Sequence, residues 1–166
     1  MSLLLIAWLG CADKPTTETE GLGPLLIELG TGEWDWEPLD SGDEIPVIQG
    51  PQGGFHLLGS VRVSGLEPGT ADDLSDPNNP TTTFGVWVNG ENIAPSSRFV
   101  QGLDASEKGA QPYRNQMLGR FVIMDIEADD ELDGVQLEMS VQVEDIHGTI
   151  AETAHQLIAY PHPLNH

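Results

Sequence analysis

The residues that are best suited to bind a ligand stand in one short segment, 50–56, with the sequence GPQGGFH. Glycine adopts positive φ angles without strain, so the three glycines allow the backbone to approach a ligand closely. Gln52 and His56 would then line a polar ligand pocket. The alternative is a structural turn that leads into a strand at Phe55, with His56 on its outer face beside Arg62. The sequence favours the structural interpretation, and the pocket is the second hypothesis.

Imidazole groups offer a different chemistry, because neutral histidine binds zinc and copper. No His-x-His pair occurs, His162 and His166 stand in the C-terminal tail, and strand alternation places His56 outward and His155 inward. A transition-metal site is therefore not expected, and a periplasmic metal-binding protein built on His56 is an alternative. The chain has five histidines: His56, His147, His155, His162 and His166.

Two acidic loops offer the oxygen ligands that calcium prefers. Neither loop follows the EF-hand spacing, and aspartate and asparagine also form turns without any metal. Calcium is the single cofactor that the sequence suggests, and turn formation is the competing explanation. The first loop contributes Asp72, Asp73, Asp76, Asn78 and Asn79, and the second contributes Glu127, Asp129, Asp130, Glu131 and Asp133.

Tryptophans near the start of the chain offer a fourth kind of site. Trp34 and Trp36, in GEWDWEP, point the same way if this segment is extended, and their rings would then stack on sugars. They would equally well cover the edge of a sandwich, and the same two interpretations apply to Trp87.

The chain has no Gly-x-Ser-x-Gly elbow, no glycine-rich phosphate loop and no His-Glu-x-x-His motif. We expect no catalysis, with a carbohydrate-binding or carbohydrate-active protein as an alternative.

The charge of the chain limits its partners. Acidic residues outnumber Lys plus Arg by 27 to 6, which gives a formal charge of -21. Such a surface repels nucleic acids and anionic lipid headgroups, so nucleic acid is excluded as a partner. The same charge favours divalent cations or basic partners, or serves only for solubility at high salt.

Short β-prone runs separated by turn signals predict an all-β fold of about seven or more strands. The run Leu118–Glu127 is apolar on both faces over Phe121–Met124, so we expect it in the centre of a sheet. One sandwich domain over 23–161 follows, with a loose tail at 162–166. The predicted strands and extended pieces before the last hairpin are Pro24–Leu29, Trp34–Leu39, Pro46–Gln49, Phe55–Ser64, Thr83–Asn89, Arg98–Gln101 and Leu118–Glu127.

The last hairpin is the most specific structural prediction. Alternating apolar residues over 135–143 precede Asp145-Ile146-His147-Gly148, which suits a type I turn closed by a left-handed glycine. That turn sets Val143 opposite Ala151 and Leu137 opposite Leu157. This ending resembles the closing hairpin of bacterial immunoglobulin-like and PKD-like modules. The resemblance implies an immunoglobulin-like antiparallel β-sandwich and no particular function.

The first residues resemble the lipobox of bacterial lipoproteins. An apolar run, Leu3–Leu9, is followed by Gly10 and by Cys11, the only cysteine. In that family the leader is cut just before the cysteine and the thiol is diacylated, which implies a signal peptide at 1–10 and lipid on Cys11. Polar residues then predict that 11–22 is a flexible tether. The alternative is a buried N-terminal strand that ends in a chance cysteine.

Together these features predict a lipid-anchored, extracytoplasmic binding or structural module of the bacterial cell envelope. The lipobox resemblance implies an outer-membrane lipoprotein that faces the periplasm or the exterior. The expected partners are the membrane, through the lipid on Cys11, and an envelope protein or polysaccharide.

Overall fold

The computed structural model describes residues 21–95 and 97–165, and within them the chain is almost entirely β-structure. The predicted signal peptide at 1–10, Cys11, most of the predicted tether and His166 lie outside the described residues. A short 3-10 helix covers Asp129–Leu132, and no helix in the described ranges is long and apolar enough to cross a membrane. The strands are β1 (Leu26–Thr31), β2 (Glu37–Pro38), β3 (Glu44–Gln49), β4 (Phe55–Ser64), β5 (Thr81–Val88), β6 (Glu91–Asn92), β7 (Arg98–Val100), β8 (Asp104–Ala105), β9 (Asn115–Met124), β10 (Gln136–Glu144) and β11 (Ile150–Pro161).

The strands form two layers connected as in an immunoglobulin-like sandwich. In the first sheet β1 pairs with β4, β4 with β9, and β9 with β8, all antiparallel. In the second sheet β10 lies between β5 and β11, again antiparallel. These orders correspond to the ABED and CFG sheets of that fold. The predicted all-β sandwich is therefore confirmed.

Strand β3 belongs to both layers. Its first part runs parallel to the end of β11, with Ile45 opposite Ala159, whereas Ile48 and Gln49 pair antiparallel with the start of β4. A single strand thus closes one side of the sandwich. Its pairing with β11 is the one parallel ladder among the described strands, and it departs from a purely antiparallel sandwich.

The core lies between the two inner faces and follows the alternation of the sequence. Every second residue of a strand points to the same side of its sheet, so one set is buried and the other faces outward. The predicted inward residues of β4, from Phe55 to Val63, belong to this core. The largest fully buried side chains are Phe84, Leu29, Ile45, Leu57, Leu66, Met117, Leu137, Met139, Leu157, Val47, Val61 and Val63.

The last hairpin forms with the predicted register. Val143 lies opposite Ala151 and Leu137 opposite Leu157. The N–H of Gly148 donates to the Asp145 carbonyl at 3.0 Å, and Gly148 has a φ of +79°. Turn chemistry and period-two alternation agree here, which is why the sequence alone identifies the pairs.

A bulge in β9 changes which of its residues face the core. The register shifts between the pair Gly59–Arg120 and the pair Val61–Met117. Between these pairs β4 advances by two residues, whereas β9 advances by three. Gly119 lies inside this bulge with a φ of +62°, a conformation that glycine adopts without strain. One extra residue reverses the inward and outward positions of every residue that follows.

The expectation that this strand is central is wrong. Val122 and Met124 face the core after the bulge, whereas Phe121 and Ile123 lie on the outer face with 50% and 58% of their surface exposed. Over 120–124, β9 pairs with β4 alone among the described strands, so this half of it is an edge.

The segment Trp34–Leu39 is extended over Glu37–Pro38 only, because the chain bends at 33–35. The bend packs against the bulge: a Cβ on Gly119 would lie 2.2 Å from the carbonyl oxygen of Glu33. Contact with a distant strand therefore overrides the extended tendency of this segment.

The C-terminal tail, 162–166, is not loose over its described part. Asn165 accepts the N–H of Gln49 on Oδ1 at 2.9 Å, and its Nδ2 donates to the Val47 carbonyl at 2.7 Å. The same Nδ2 donates to Asp129 Oδ2 at 2.6 Å. One asparagine thus fastens the tail to β3 and to the 3-10 helix.

The Asp145 carboxylate connects the last hairpin to the loop after β4. Its Oδ1 accepts the N–H of His147 and of Thr149 at 2.9 and 2.8 Å, and its Oδ2 accepts the N–H of Glu67 at 3.0 Å. Burial by itself raises the pKa of the Asp145 carboxyl. The backbone donors of Glu67, Thr149 and His147 outweigh burial, so the pKa of Asp145 lies below its ordinary value.

We expect Asp145→Ala to lower the free energy of unfolding by about 3 kcal/mol, because three backbone N–H groups lose a charged acceptor. The pKa of Asp145 is lower in the folded state. Its contribution is therefore complete above the unfolded pKa, about 3.9, and is lost as the pH falls through the folded value. Urea titrations from pH 3 to 7 measure both effects.

The matched control is Asp72→Ala, which removes an exposed carboxylate and should leave the urea midpoint unchanged. Equal midpoints for wild type and Asp145→Ala at neutral pH would contradict the role of this carboxylate.

Candidate functional site

The glycine-rich segment forms the turn between β3 and β4. The N–H of Gly50 donates to the Gly54 carbonyl at 2.7 Å, and that of Gly53 donates to the Gly50 carbonyl at 2.9 Å. Gly53 has a φ of +87°, which explains a glycine there. The turn that the sequence favoured is present, and it also shapes a cleft of about 460 Å³ whose lining includes Gln52 and His56.

His56 forms the floor of this cleft on the outer face of the first sheet. It is only 7% exposed, and its ring lies 4.5 Å from that of Phe121, centre to centre, with an angle of 41° between the planes. Phe121 lies on the neighbouring strand, and the turn residues Pro51 and Gln52 complete the lining with Ile123. The expected neighbour of His56, Arg62, lies farther along β4.

The environment of His56 disfavours its charged form. Burial lowers the pKa of His56 below its ordinary value, and the negative charge of Glu33 opposes this shift without cancelling it. The neutral form of the His56 ring is therefore favoured over the cation at pH 7.

A second cleft, of about 650 Å³, adjoins the first and shares Phe121 and Ile123 with it. Its lining adds Trp34, which is 80% exposed, and the acidic residues Glu33 and Asp104. Arg120 and Phe99 also line this cleft, and the guanidinium of Arg120 lies 6.0 Å from the centre of the Phe99 ring. We refer to Trp34, Gln52, His56, Phe121 and Ile123 as the apolar surface.

The apolar surface borders an open sheet edge. Over 120–124, β9 pairs with β4 on one side and with no described strand on the other. In an antiparallel ladder every second residue directs its N–H and C=O away from the partner strand. Backbone donors and acceptors therefore lie beside the exposed side chains of Phe121 and Ile123.

The two early tryptophans do not form one groove. Because the chain bends at 33–35, Trp34 lies next to β9, whereas Trp36 lies over β1, where a Cβ on Gly30 would be 2.6 Å from its ring. The guanidinium of Arg62 lies 4.5 Å from the centre of the Trp36 ring. Trp36 thus covers the outer face of the first sheet, and only Trp34 joins the apolar surface.

The first acidic loop uses its carboxylates internally. Asp73 Oδ1 accepts the N–H and the hydroxyl of Ser75 at 2.9 and 2.6 Å. Asp76 accepts the Thr70 hydroxyl at 2.5 Å and the N–H of Asn78 at 2.9 Å. The hydroxyl of Ser75 lowers the pKa of Asp73, and that of Thr70 lowers the pKa of Asp76. These contacts are those of turn-forming residues.

The second acidic loop is arranged in the same way. Asp129 accepts the amide of Asn165, and Glu131 Oε1 accepts two backbone N–H groups at 2.9 and 2.7 Å at the start of the 3-10 helix. Asp130 and Asp133 are exposed. Across residues 21–95 and 97–165, no group of three His, Cys, Asp or Glu side chains is placed to hold a metal ion.

The sequence identified Gln52, His56 and Trp34 but missed Phe121 and Ile123. The pattern Phe-Val-Ile-Met has no polar residue, so the sequence predicts a strand that is buried on both faces. Gly119 was the only signal of the bulge that turns them outward.

No protein-family model, no curated protein and no solved structure matches this chain.

We expect His56 to titrate below pH 6.5, because burial disfavours its protonation. The unfolded chain then binds the proton first, so the free energy of unfolding falls as the pH drops from 7 through about 6.5, and levels off below the folded pKa. Proton NMR of the imidazole gives the folded pKa, with His56→Gln identifying the resonance.

Glu33→Gln is the matched variant, since it removes the one charge that raises the pKa of His56. The resonance should then titrate at a still lower pH. A titration at or above pH 6.5 in the wild type would be incompatible with this description of the cleft.

Proposed function

We propose that this protein is a non-catalytic binding module of the bacterial cell envelope. A lipid on Cys11 holds it at the membrane, and its apolar surface binds an extended, basic segment of a partner polypeptide. The observation that carries the proposal is the exposure of Trp34, Phe121 and Ile123 beside an open strand edge.

The anchor is supported by the order of residues at the start of the chain. An apolar run, a small residue and the only cysteine follow one another over 3–11, as in the lipobox. The polar segment that follows is suited to connect a lipid to a domain. The apolar run is too short to span a bilayer, which needs about 20 residues.

The form of the partner is inferred from the two kinds of contact that the surface offers. Apolar rings bind any apolar group, but the free N–H and C=O groups of β9 pair in register only with another extended backbone. Phe121 and Ile123 alternate along that edge, so they select side chains at alternate positions of the added strand. An extended polypeptide satisfies both requirements, whereas a lipid satisfies only the first.

The charge of the partner follows from the surroundings of the surface. Two carboxylates, Glu33 and Asp104, and one guanidinium, that of Arg120, line the larger cleft, and the whole chain carries a formal charge of -21. Opposite charge raises the rate of encounter and suppresses binding of acidic segments. Lysine and arginine are therefore expected in the partner segment.

Binding without catalysis is supported by the lining of the two clefts. It contains no serine, threonine, cysteine or lysine side chain that would serve as a nucleophile. The acids Glu33 and Asp104 line the larger cleft, and His56 lies in the smaller one. Because the exposed side chains of Trp34, Phe121 and Ile123 are apolar, contact with a partner is proposed here rather than proton transfer.

A phage-displayed library of short random peptides, selected against the full chain in detergent, tests the surface. We expect enrichment of peptides with alternating apolar residues and with Lys or Arg. The double variant Phe121→Ser/Ile123→Thr should weaken their binding about tenfold or more, since it removes the exposed anchors. N-methylation at alternate backbone positions should also weaken binding, because it removes the donors that pair with β9.

The control is Trp36→Ala, which lies on the same sheet but outside the apolar surface and should bind the peptides as wild type does. If the enriched peptides bind the double variant with unchanged affinity, the proposed binding surface is wrong.

Lipidation is tested separately by mass spectrometry of the chain expressed in a bacterial host. We expect loss of residues 1–10 and the added mass of acyl chains on Cys11, because the lipobox directs both steps. Cys11→Ser should remove the acyl mass and leave the leader in place. An intact leader with a free thiol on the wild-type chain would refute the anchor without affecting the binding surface.

A further inference from the structure

We infer that the outer face of the second sheet binds a neutral saccharide chain, with Trp87 as the stacking platform. This site lies on the sheet opposite the apolar surface and does not depend on the function proposed for that surface. Trp87 separates two clefts, of about 510 and 320 Å³, and lines both of them.

The register of three adjacent strands explains the shape of the larger cleft. Paired residues of neighbouring strands share a face, so the outward side chains of β5, β10 and β11 form rows across the sheet. One row is made of small residues, and the rows on either side of it carry an aromatic ring, amides and carboxylates. The rows are Thr83–Gln142–Glu152, Gly85–Ser140–Ala154 and Trp87–Glu138–Gln156.

The indole ring of Trp87 lies against the sheet rather than projecting from it. A Cβ on Gly85 would be 2.9 Å from Trp87 Nε1 and 2.8 Å from Ser140 Oγ. The absence of a side chain at Gly85 therefore lets the ring approach the backbone, while 38% of the Trp87 residue surface stays exposed. A flat aromatic face at the side of a groove is suited to the apolar face of a sugar ring.

The polar side chains around the ring are held in place by one another. Gln142 Nε2 donates to Glu152 Oε2 at 3.2 Å, and Gln156 Nε2 donates to Glu138 Oε2 at 2.8 Å. Each carboxylate keeps an oxygen that accepts a hydroxyl proton, and each amide keeps an N–H and a carbonyl oxygen. This mixture of donors and acceptors, fixed before binding, matches the hydroxyl groups of a saccharide better than the surface of an apolar ligand.

The charge of the face selects among saccharides. Two carboxylates, Glu138 and Glu152, line the clefts, whereas no lysine or arginine does. Arg98 lies on the same face but outside the cleft lining, and its guanidinium donates to Thr81 Oγ1 at 3.2 Å. Uronate and sulfated polymers are therefore repelled, and neutral polymers are preferred.

The two clefts on either side of Trp87 indicate an oligosaccharide rather than a single sugar. Asn92 lines the larger cleft, and Asn89 and Gln136 line the smaller one, so hydrogen-bonding groups continue past the ring in both directions. A chain that crosses the sheet would place one sugar on the ring and its neighbours in the two clefts.

Affinity electrophoresis of the full chain in detergent tests this site with gels that contain a neutral β-glucan, xyloglucan or galactomannan, or the uronate polymer alginate. We expect at least one neutral polymer to retard the protein and alginate to leave its mobility unchanged. Trp87→Ala should raise the dissociation constant about tenfold or more, because it removes the central aromatic contact. Gln142→Ala should weaken binding less, since it removes one edge contact.

Trp36→Ala is the matched tryptophan control and should bind as wild type, and melting temperatures separate loss of binding from loss of folding. Phe121→Ser/Ile123→Thr should also bind the polymer as wild type, which distinguishes this site from the apolar surface. Three outcomes would overturn the inference: no retardation by any neutral polymer, retardation by alginate alone, or equal retardation of wild type and a folded Trp87→Ala.

Discussion

The bulge at Gly119 is the constraint on which the outer face of the first sheet depends. The N–H of Gly119 donates to the Ser60 hydroxyl, which in turn donates to the Gly32 carbonyl at 3.2 Å. Ser60 is completely buried. This pair of bonds fixes the extra residue of β9 and the chain segment that passes over it. Because period-two alternation restarts after the bulge, Phe121 is turned outward. Without the bulge the same side chain would lie in the core and the cleft beside it would not exist.

The two sheets have different outer faces because their strands carry different residues at outward positions. On the first sheet these positions hold His56, Phe121 and Ile123, and an open edge continues the apolar surface. On the second sheet β10 is paired on both sides, so its outward residues are surrounded by neighbouring strands and form a continuous polar face. The first face thus combines an open backbone edge with exposed apolar side chains, whereas the second combines one aromatic ring with amides and carboxylates.

Local signals in the sequence predicted the elements that local chemistry determines. The strand Phe55–Ser64 and the register of the last hairpin follow from alternation and from an Asp-x-x-Gly turn, and both are present. The bend at 33–35 and the fastening of Asn165 depend on partners far along the chain, so no local pattern indicates them. The residues of the candidate site fall into the same two groups, those that a local pattern indicates and those that it does not. Gln52 and His56 stand in a conspicuous segment, but the outward turn of Phe121 required knowledge of a bulge that one glycine alone signals.

The charge of the chain determines how such a module behaves near a membrane. A formal charge of -21 opposes contact with anionic headgroups and between copies of the chain. Under the proposed function this repulsion would keep the exposed rings of Trp34 and Phe121 from an anionic bilayer and from other copies, and would attract basic segments to them. A lipid on Cys11 would confine the domain to a thin layer, where its effective concentration toward other envelope components is high. In that arrangement the two proposed faces, on opposite sides of one sandwich, would connect a protein to a polysaccharide.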